Sequence, residues 1–284
     1  MTYVCFDIGG TNTRVALSAD GSVLTDFECF KTPTSLREGV EKIVTAVEKL
    51  GGDPSAIKGA AGGIRGVLNE DRTGLACDGI LTQWVGRSVV AELSEAFGGA
   101  PVFLENDTAL AGLGEAHFGP GQGLDIVAYH TVSTGVGGVR IVSGVIDAAS
   151  VGFEPGHQVI DVDRTILGPE IAPTLENFIS GSALETRTDT KPYDIPQTDV
   201  IWDELARYLA AGLRNTTLYW SPDIIILGGS MIVGDPRIEL DAIRHHTVES
   251  LDGFVDCPYI AHAKLDDASA LYGALVFVRS QIAA

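Results

Sequence analysis

The sequence has few basic residues, few cysteines and no long hydrophobic run. Its 19 Lys and Arg residues stand against 38 Asp and Glu, which gives a net charge of -19. No cluster of Lys or Arg interrupts this negative charge. Because such a surface repels phosphate backbones and anionic lipids, we expect no nucleic-acid partner and no membrane partner.

The apolar segments are also too short to span a membrane, and no basic and apolar leader precedes the first predicted strand. We therefore expect a soluble, cytoplasmic protein. The four cysteines never form a C-x-C or C-x-x-C pair, which argues against a disulfide framework and against a cysteine-built zinc site. With 284 residues, 45% of them hydrophobic, the chain can form one large or two medium domains.

Three polar residues, Glu105, Asn106 and Asp107, stand at a predicted strand-to-helix junction. Residues 101–104 predict a short buried strand, and small residues and leucines from Thr108 onward predict a tightly packed helix. Ligands of open α/β sheets bind beyond the carboxyl ends of the strands, where a carboxylate has a chemical use. Asn106 or Asp107 could equally cap the helix, since both residue types are favoured caps.

A glycine-containing turn lies near the start of the chain, in the segment Asp7-Ile-Gly-Gly-Thr-Asn-Thr-Arg14. Strands are predicted over 3–6 and 15–18, and a further strand over 23–27 after a hairpin turn. The Gly-Gly pair permits close backbone approach, Thr and Asn side chains can bind phosphate oxygens, and Asp7 can hold hydrated Mg²⁺. A plain glycine-rich hairpin turn explains the same residues.

The segment Val132-Ser-Thr-Gly-Val-Gly-Gly138 repeats this design about half a chain later, between strands predicted over 126–131 and 139–142. The duplication predicts two similar α/β domains whose phosphate loops face one another. A long helix from about 200 to 220 precedes a buried parallel-type strand that ends in Gly228 and Gly229. These glycines would allow a flat ligand such as adenine to approach, although a turn at a helix start explains them equally well.

Taken together, several motifs resemble those of the ROK family of sugar kinases, and they occur in that family's order. The motifs are Asp7-x-Gly-Gly-Thr-Asn-Thr-Arg14, Glu105-Asn-Asp107, Ser133-Thr-Gly-Val-Gly-Gly138, Glu154-x-Gly-His157 and Leu227-Gly-Gly229. The resemblance implies an α/β fold with duplicated actin-like ATPase (ribonuclease H-like) domains and a ligand cleft between them. We expect a smaller domain over 1–107, completed by a C-terminal helix over about 268–284, and a larger domain over 108–267.

The resemblance also implies the roles of individual residues. Asp107 matches the catalytic base, and Asp7 matches a position near Mg²⁺, which it is expected to hold through water. The expected substrate ligands are Asn106, Glu154, His157, Glu176 and, in the glycine-rich segment 62–66, Gly63. The residues expected to bind ATP are Asp7, Gly9, Gly10, Thr11, Asn12, Arg14, Thr134, Gly135, Gly228 and Gly229. We also expect a homodimer.

The chain departs from the family most clearly after Gly156-His157. Most members carry a cysteine cluster there that binds zinc together with the histidine, but residues 159–174 contain no cysteine. His157 is therefore predicted to bind sugar without a metal, with a purely structural histidine as the alternative, and no zinc site is expected. Val139, Ser230 and Gly79-Ile-Leu81 also differ from the family's usual residues, and the last difference leaves the identity of the sugar open.

The predicted activity is ATP-dependent phosphorylation of a hexose, with the 6-hydroxyl of glucose as the first candidate. Fructose, mannose or an N-acetylhexosamine remain alternative acceptors, and polyphosphate remains an alternative donor. A non-catalytic sugar-binding or scaffolding member with a degenerate kinase fold is a competing class. A sugar-sensing transcription factor would need a DNA-binding helix-turn-helix, and the acidic charge opposes it.

Overall fold

A computed structural model describes residues 2–149 and 152–283. Its strands are β1 (Thr2–Ile8), β2 (Asn12–Ser18), β3 (Glu28–Lys31), β4 (Ile57–Ile64), β5 (Val67–Leu68), β6 (Leu75–Cys77), β7 (Val102–Asn106), β8 (Ile126–Val132), β9 (Val136–Val142), β10 (Val145–Ile146), β11 (Ile224–Gly228) and β12 (Tyr259–His262). Its α-helices are α1 (Leu36–Lys49), α2 (Val89–Ala96), α3 (Asp107–Phe118), α4 (Leu175–Ile179), α5 (Gly181–Thr188), α6 (Ile201–Trp220), α7 (Ser230–Val233), α8 (Leu240–Leu251) and α9 (Ser269–Ala283).

The chain divides into two compact units. The first is formed by the chain up to His117 together with the segment from Asp267 onward, and the second is Phe118–Asp266. Helix α3 thus lies almost wholly in the first unit, about ten residues beyond the boundary predicted at 107/108. The reason is close packing of α3 on α9, where a Cβ on Gly273 would lie only 1.8 Å from the backbone oxygen of Leu110.

Each unit contains a five-stranded sheet, and the two sheets have the same topology. The first sheet has the order β3-β2-β1-β4-β7 and the second the order β10-β9-β8-β11-β12. In each sheet the first three strands pair antiparallel and the last two join in parallel. This matching order confirms the duplicated α/β architecture that the paired glycine turns predict.

The strand predicted over 23–27 is not formed. Thr25 instead exchanges two hydrogen bonds with the backbone of Leu17, and Asp20 accepts hydrogen bonds from the backbone N–H groups of Ser22 and Val23. Because these side chains hold the segment as a loop, the third strand of the sheet begins only at Glu28. The loop is hydrophobic in sequence but Val23 is 65% exposed, so it adds little to the core.

The core of the first unit lies on both faces of its sheet. β1 is buried along nearly its whole length, which fits a strand covered on both faces, and α9 contacts both β1 and β4. On α1 the residues Val40, Ile43 and Val47 are buried at helical spacing, and Ser35 caps the helix by accepting a hydrogen bond from the Glu38 N–H. The second unit has its own hydrophobic core, to which α6 contributes Leu205, Leu209 and Leu213.

Candidate active site

The carboxyl ends of β1, β4 and β7 lie side by side in the first unit. The strand register pairs Asp7 with Gly63 and Gly63 with Glu105, so Asp107 follows directly beyond this row of residues. A Cβ on Gly63 would lie only 2.8 Å from the Cα of Asp107. The glycine is therefore required for Asp107 to approach β4, and a contact between Gly63 and a substrate remains a prediction.

Asp107 is partly buried at the first position of α3. Its Oδ1 accepts a hydrogen bond from the Thr108 N–H at 2.7 Å, and Oδ2 has no hydrogen-bond partner among residues 2–149 and 152–283. Desolvation raises the pKa of this carboxyl, while the Thr108 hydrogen bond and the charge of Arg65 act in the opposite direction. A carboxylate with one oxygen to spare and a raised pKa is suited to accept a proton.

The cap of α3 is provided by Asn106. Its Oδ1 accepts a hydrogen bond from the Ala109 N–H at 3.1 Å, which is the bond expected from an N-cap residue. Of the two capping alternatives, the structure therefore selects Asn106. Its amide NH₂ has no hydrogen-bond partner among the described residues, and its contact with a sugar remains a prediction.

Glu105 holds this strand end in place. One carboxylate oxygen accepts a hydrogen bond from the Asn106 N–H at 2.9 Å, and the other forms an ion pair with Arg72. Glu105 is buried. We infer that Glu105 orients Asn106 and does not itself face a ligand.

Asp7 lies opposite Arg14 on β2 and shares this arginine with Asp267. Arg14 donates from Nη1 to Asp7 at 3.4 Å and from Nη2 to Asp267 at 2.6 Å. Burial, followed by the charge of Asp107, raises the pKa of Asp7 to about 7, although Arg14 opposes the shift. A buried carboxylate of this kind fits a Mg²⁺ site, because a nearby cation offsets the cost of ionising it. The Arg14 guanidinium donates to two carboxylates. Its contact with a nucleotide remains a prediction.

The first glycine turn is a tight loop of three residues between β1 and β2. The Gly9 N–H donates to the backbone oxygen of Asn12 at 3.0 Å. Thr32 donates from its hydroxyl to the Gly9 oxygen and from its N–H to the Thr11 oxygen. The Thr11 side chain stands exposed at the tip. This arrangement suits backbone contacts to phosphate, as predicted for Gly9 to Asn12.

The second glycine turn, Ser133-Thr-Gly135, has the same length between β8 and β9. The Ser133 N–H donates to the Gly135 oxygen at 2.9 Å, and Thr134 is exposed. Glu176 lies against this turn, where its Oε2 accepts a hydrogen bond from the Val136 N–H at 2.8 Å. One oxygen of this predicted sugar ligand is thus used by the loop, which the sequence does not indicate.

Gly228 and Gly229 are explained by the packing of the second unit itself. A Cβ on Gly229 (φ +88°) would lie 2.3 Å from the Val132 oxygen, and one on Gly228 would lie 2.6 Å from the Tyr129 hydroxyl. Gly229 also precedes α7 directly. Packing on Tyr129 therefore accounts for Gly228 and the turn at a helix start for Gly229, and their contact with adenine remains a prediction.

Glu154 directly precedes a single 3₁₀ turn of the second unit and His157 is the last residue of that turn, with His157 Nδ1 at 3.7 Å from Glu154 Oε2. Both side chains are exposed. Within the described ranges, a group with the spacing of metal ligands is formed by His245, His246 and Glu249 on α8 and does not include His157. The two predicted sugar ligands are therefore accessible and close together.

Two charged residues of the first unit, Arg65 and Asp78, are not predicted from the sequence as site residues. The Nε of Arg65 donates to Asp78 Oδ2 at 3.0 Å. Arg65 stands in the glycine-rich segment after a predicted strand, where a single basic residue in a strongly acidic chain is itself a signal. The Asp78 partner lies thirteen residues away and could not be deduced from spacing.

In the part of the chain that the structure describes, no helix is both long and apolar enough to cross a membrane.

Comparison with known proteins gives matches along the whole chain. The family model described as the ROK family matches residues 3–281. A fructokinase of Lactococcus lactis subsp. cremoris is 32% identical over 180 residues, which cover 62% of this chain and 60% of that protein.

Two solved structures match over their full length. A ROK hexokinase of Thermus thermophilus has a TM-score of 0.81 at 25% identity, covering 100% of this chain and 99% of that one. A ROK family glucokinase of Streptomyces griseus, in complex with glucose and AMPPNP, has a TM-score of 0.77 at 25% identity, covering 99% and 100%. These matches confirm the predicted actin-like ATPase fold.

Proposed function

This chain belongs to the ROK family, and we propose that it transfers a phosphoryl group from ATP to a hexose, with the 6-hydroxyl of glucose as the first candidate acceptor. The observation that carries the proposal is the position of Asp107 beyond the end of β7, with one carboxylate oxygen unused by the described residues. The charge of Asp107 also raises the pKa of Asp7. Similarity to a glucokinase that holds glucose and AMPPNP supports both substrates.

Asp107 acts in this proposal as the general base. A sugar hydroxyl is a weak nucleophile, so its proton must be accepted as the bond to phosphorus forms. The raised pKa of Asp107 favours that transfer, while its Oδ1 bond to Thr108 fixes the carboxylate plane. A positioned base of this kind contributes roughly 10²–10⁴-fold to turnover.

The glycine turn of each unit is proposed to contact phosphate oxygens of the nucleotide. The backbone N–H groups and hydroxyls around Thr11 and Thr134 are candidate donors to phosphate oxygens. Asp7 is the candidate residue for holding hydrated Mg²⁺, which supplies charge neutralisation at the phosphates when bound. Asp7 must be ionised for this role, and a bound cation stabilises that ionised form.

The acceptor is proposed to be recognised through its hydroxyls. Candidate hydrogen-bond donors and acceptors are offered by the Asn106 amide, Glu154, His157 and the Glu176 oxygen that does not accept from Val136. A site with several such partners favours sugars whose hydroxyls match them, because each matched hydroxyl adds a hydrogen bond. The residues do not distinguish glucose from fructose, mannose or an N-acetylhexosamine.

The test is a coupled assay of ADP release with Mg·ATP over a panel of these hexoses, repeated with polyphosphate as donor. We expect sugar-dependent turnover that is lost in Asp107→Asn prepared in parallel, which excludes a contaminating kinase. If the folded protein binds a hexose in calorimetry but phosphorylates none, the result would favour the non-catalytic alternative. Folded protein that neither binds nor phosphorylates any hexose would contradict the proposal altogether.

A further inference from the structure

Arg65 is fixed at the junction of two strand ends in the first unit. It follows the last residue of β4, and its backbone N–H donates to the Ile8 oxygen at the end of β1 at 3.1 Å. The backbone of Arg65 is thus tied to the strand that leads into the first glycine turn. Its side chain starts from a rigid position and not from a free loop.

The Arg65 side chain is also anchored by Asp78. The side chain of Asp78 is only 2% exposed. Its Oδ1 accepts hydrogen bonds from the N–H groups of Ile80 and Leu81, and its Oδ2 accepts one from Arg65 Nε. Gly66 (φ +96°) makes room for this carboxylate, since a Cβ there would lie 3.0 Å from Asp78 Oδ2. The Nε edge of the guanidinium is therefore fixed by the Asp78 carboxylate, which backbone N–H groups fix in turn.

The other edge of the guanidinium points toward the first glycine turn. A Cβ on Gly10 would lie 2.8 Å from Arg65 Nη1, so the arginine lies directly over the turn. Neither Nη1 nor Nη2 has a hydrogen-bond partner within residues 2–149 and 152–283. The charge of Arg65 also acts on Asp107. One cation thus lies near both the proposed phosphate loop and the proposed base.

We propose that Arg65 is a catalytic residue that binds the phosphoryl group during its transfer, and this inference rests on the kinase activity proposed above. In that step the bond between the β-phosphate oxygen and the γ-phosphorus of ATP breaks, a bond from the hexose hydroxyl to the γ-phosphorus forms, and the hydroxyl proton passes to Asp107. ADP is the leaving group. The two Nη atoms of Arg65 donate to oxygens of the transferring group.

The geometry favours the transferring group over other anions. The γ-phosphoryl must lie between the nucleotide phosphates at the glycine turn and the hydroxyl activated by Asp107. Arg65 lies over that turn, and its charge acts on Asp107. A planar guanidinium donates two parallel hydrogen bonds to phosphoryl oxygens, which a lysine cannot do. Asp78 serves in this inference as a positioning residue, because it holds Nε and leaves the Nη edge free.

The test compares Arg65→Met, Arg65→Lys and Arg65→Ala with Arg37→Met, whose arginine lies 83% exposed on α1. We expect kcat to fall by about 100-fold or more in Arg65→Met, while KM for the hexose changes little. Arg65→Lys should recover only part of this loss. Added guanidinium chloride should restore part of the activity of Arg65→Ala, with sodium chloride as the ionic-strength control. Arg37→Met should match the unaltered protein.

A second readout does not depend on turnover. Arg65→Met should bind AMPPNP about tenfold or more weakly by calorimetry, because a charge-assisted hydrogen bond is lost, while its affinity for ADP stays unchanged. Thermal melting checks folding, and Arg65→Lys replaces Arg65→Met if the latter is unfolded.

The outcomes separate the two proposals. If the unaltered protein turns over no hexose, the proposed function fails, and the difference between AMPPNP and ADP still decides whether Arg65 binds the γ-phosphoryl group. If Arg65→Met keeps normal kcat and normal AMPPNP affinity, only the inference about Arg65 is overturned. A variant that loses hexose affinity at unchanged kcat would also overturn it, because Arg65 would then contact the acceptor and not the transferring group.

Discussion

The side chain of Asn106 accepts a hydrogen bond from the backbone N–H of Ala109 at 3.1 Å and so caps α3. Asp107, the next residue, is not needed as the cap and keeps one carboxylate oxygen free of partners among the described residues. Two adjacent polar residues therefore divide two tasks, one structural and one proposed to be chemical. This division makes the two substitutions below independent of one another.

Asp107→Asn should lower kcat by about two orders of magnitude or more, because an amide cannot accept the hydroxyl proton at neutral pH. Its stability and its affinity for hexose should change little, since an amide still bonds to the Thr108 N–H and to a hydroxyl. Steady-state kinetics, thermal melting and calorimetry on one preparation measure all three. A stable variant with near-normal turnover would rule out Asp107 as the base.

Asn106→Ala is the matched comparison at the neighbouring position. Loss of the cap should reduce the free energy of unfolding by about 1 kcal/mol. Urea unfolding of both variants should therefore show the larger loss for Asn106→Ala, whereas the larger loss of kcat belongs to Asp107→Asn. The reverse order of stabilities would show that Asp107 caps the helix.

Gly63→Ala tests whether β4 controls the position of Asp107. The added methyl would lie 2.8 Å from the Asp107 Cα, a backbone atom that cannot move aside cheaply. We expect a loss of about 1–3 kcal/mol in stability, together with reduced kcat. Gly79→Ala is the control for stability, because nothing lies within 4 Å of its added Cβ. Equal unfolding free energies for the two variants would contradict this account.

Much of the fold follows from the sequence because its signals are local. The strands around both glycine turns, the capped α1 and the long α6 all carry periodicity or capping patterns within a few residues. The repeated glycine turns also predict the repeated sheet order. The segment 23–27 misleads because it follows a turn sequence as a second strand would, whereas backbone N–H groups that donate to the side chains of Asp20 and Thr25 hold it as a loop.

The candidate site was only partly predictable, because several of its relationships are not local. Asp7, Gly63 and Glu105 meet through strand register, and the motifs alone do not show that Gly63 is required by Asp107. The hydrogen bond from the Val136 N–H to Glu176 joins residues that are forty positions apart. The Arg65 to Asp78 pair likewise joins two loops that no pattern connects.

The purified protein should carry no stoichiometric zinc at His157. Structural zinc needs four protein ligands, and residues 159–174 offer no cysteine to complete a set around this histidine. Elemental analysis after dialysis measures the metal. Because His245, His246 and Glu249 have the spacing of a surface metal group, His245→Ala with His246→Ala is the control for zinc bound elsewhere. One zinc per chain that persists in this control and disappears in His157→Asn would contradict the prediction.

Asp7 should make the stability of the ligand-free protein depend on pH. Its pKa is about 7 in the folded protein against the ordinary value of 3.8 for an Asp side chain, so the folded state binds the extra proton between these values. Stability contributed by the protonated group is therefore complete below about pH 4 and is lost as the pH rises through 7. Relative to Asp7→Asn, the unaltered protein should lose up to about 4 kcal/mol of unfolding free energy over that window.

Urea unfolding of both proteins from pH 4 to pH 8, without metal, measures this difference. Added Mg²⁺ at pH 8 should then stabilise the unaltered protein more than Asp7→Asn, because a cation favours the ionised carboxylate that burial and Asp107 disfavour. Two parallel stability curves would show that Asp7 ionises normally in the folded protein. Equal stabilisation of both proteins by Mg²⁺ would instead leave the raised pKa in place and remove Asp7 as the residue that holds the metal.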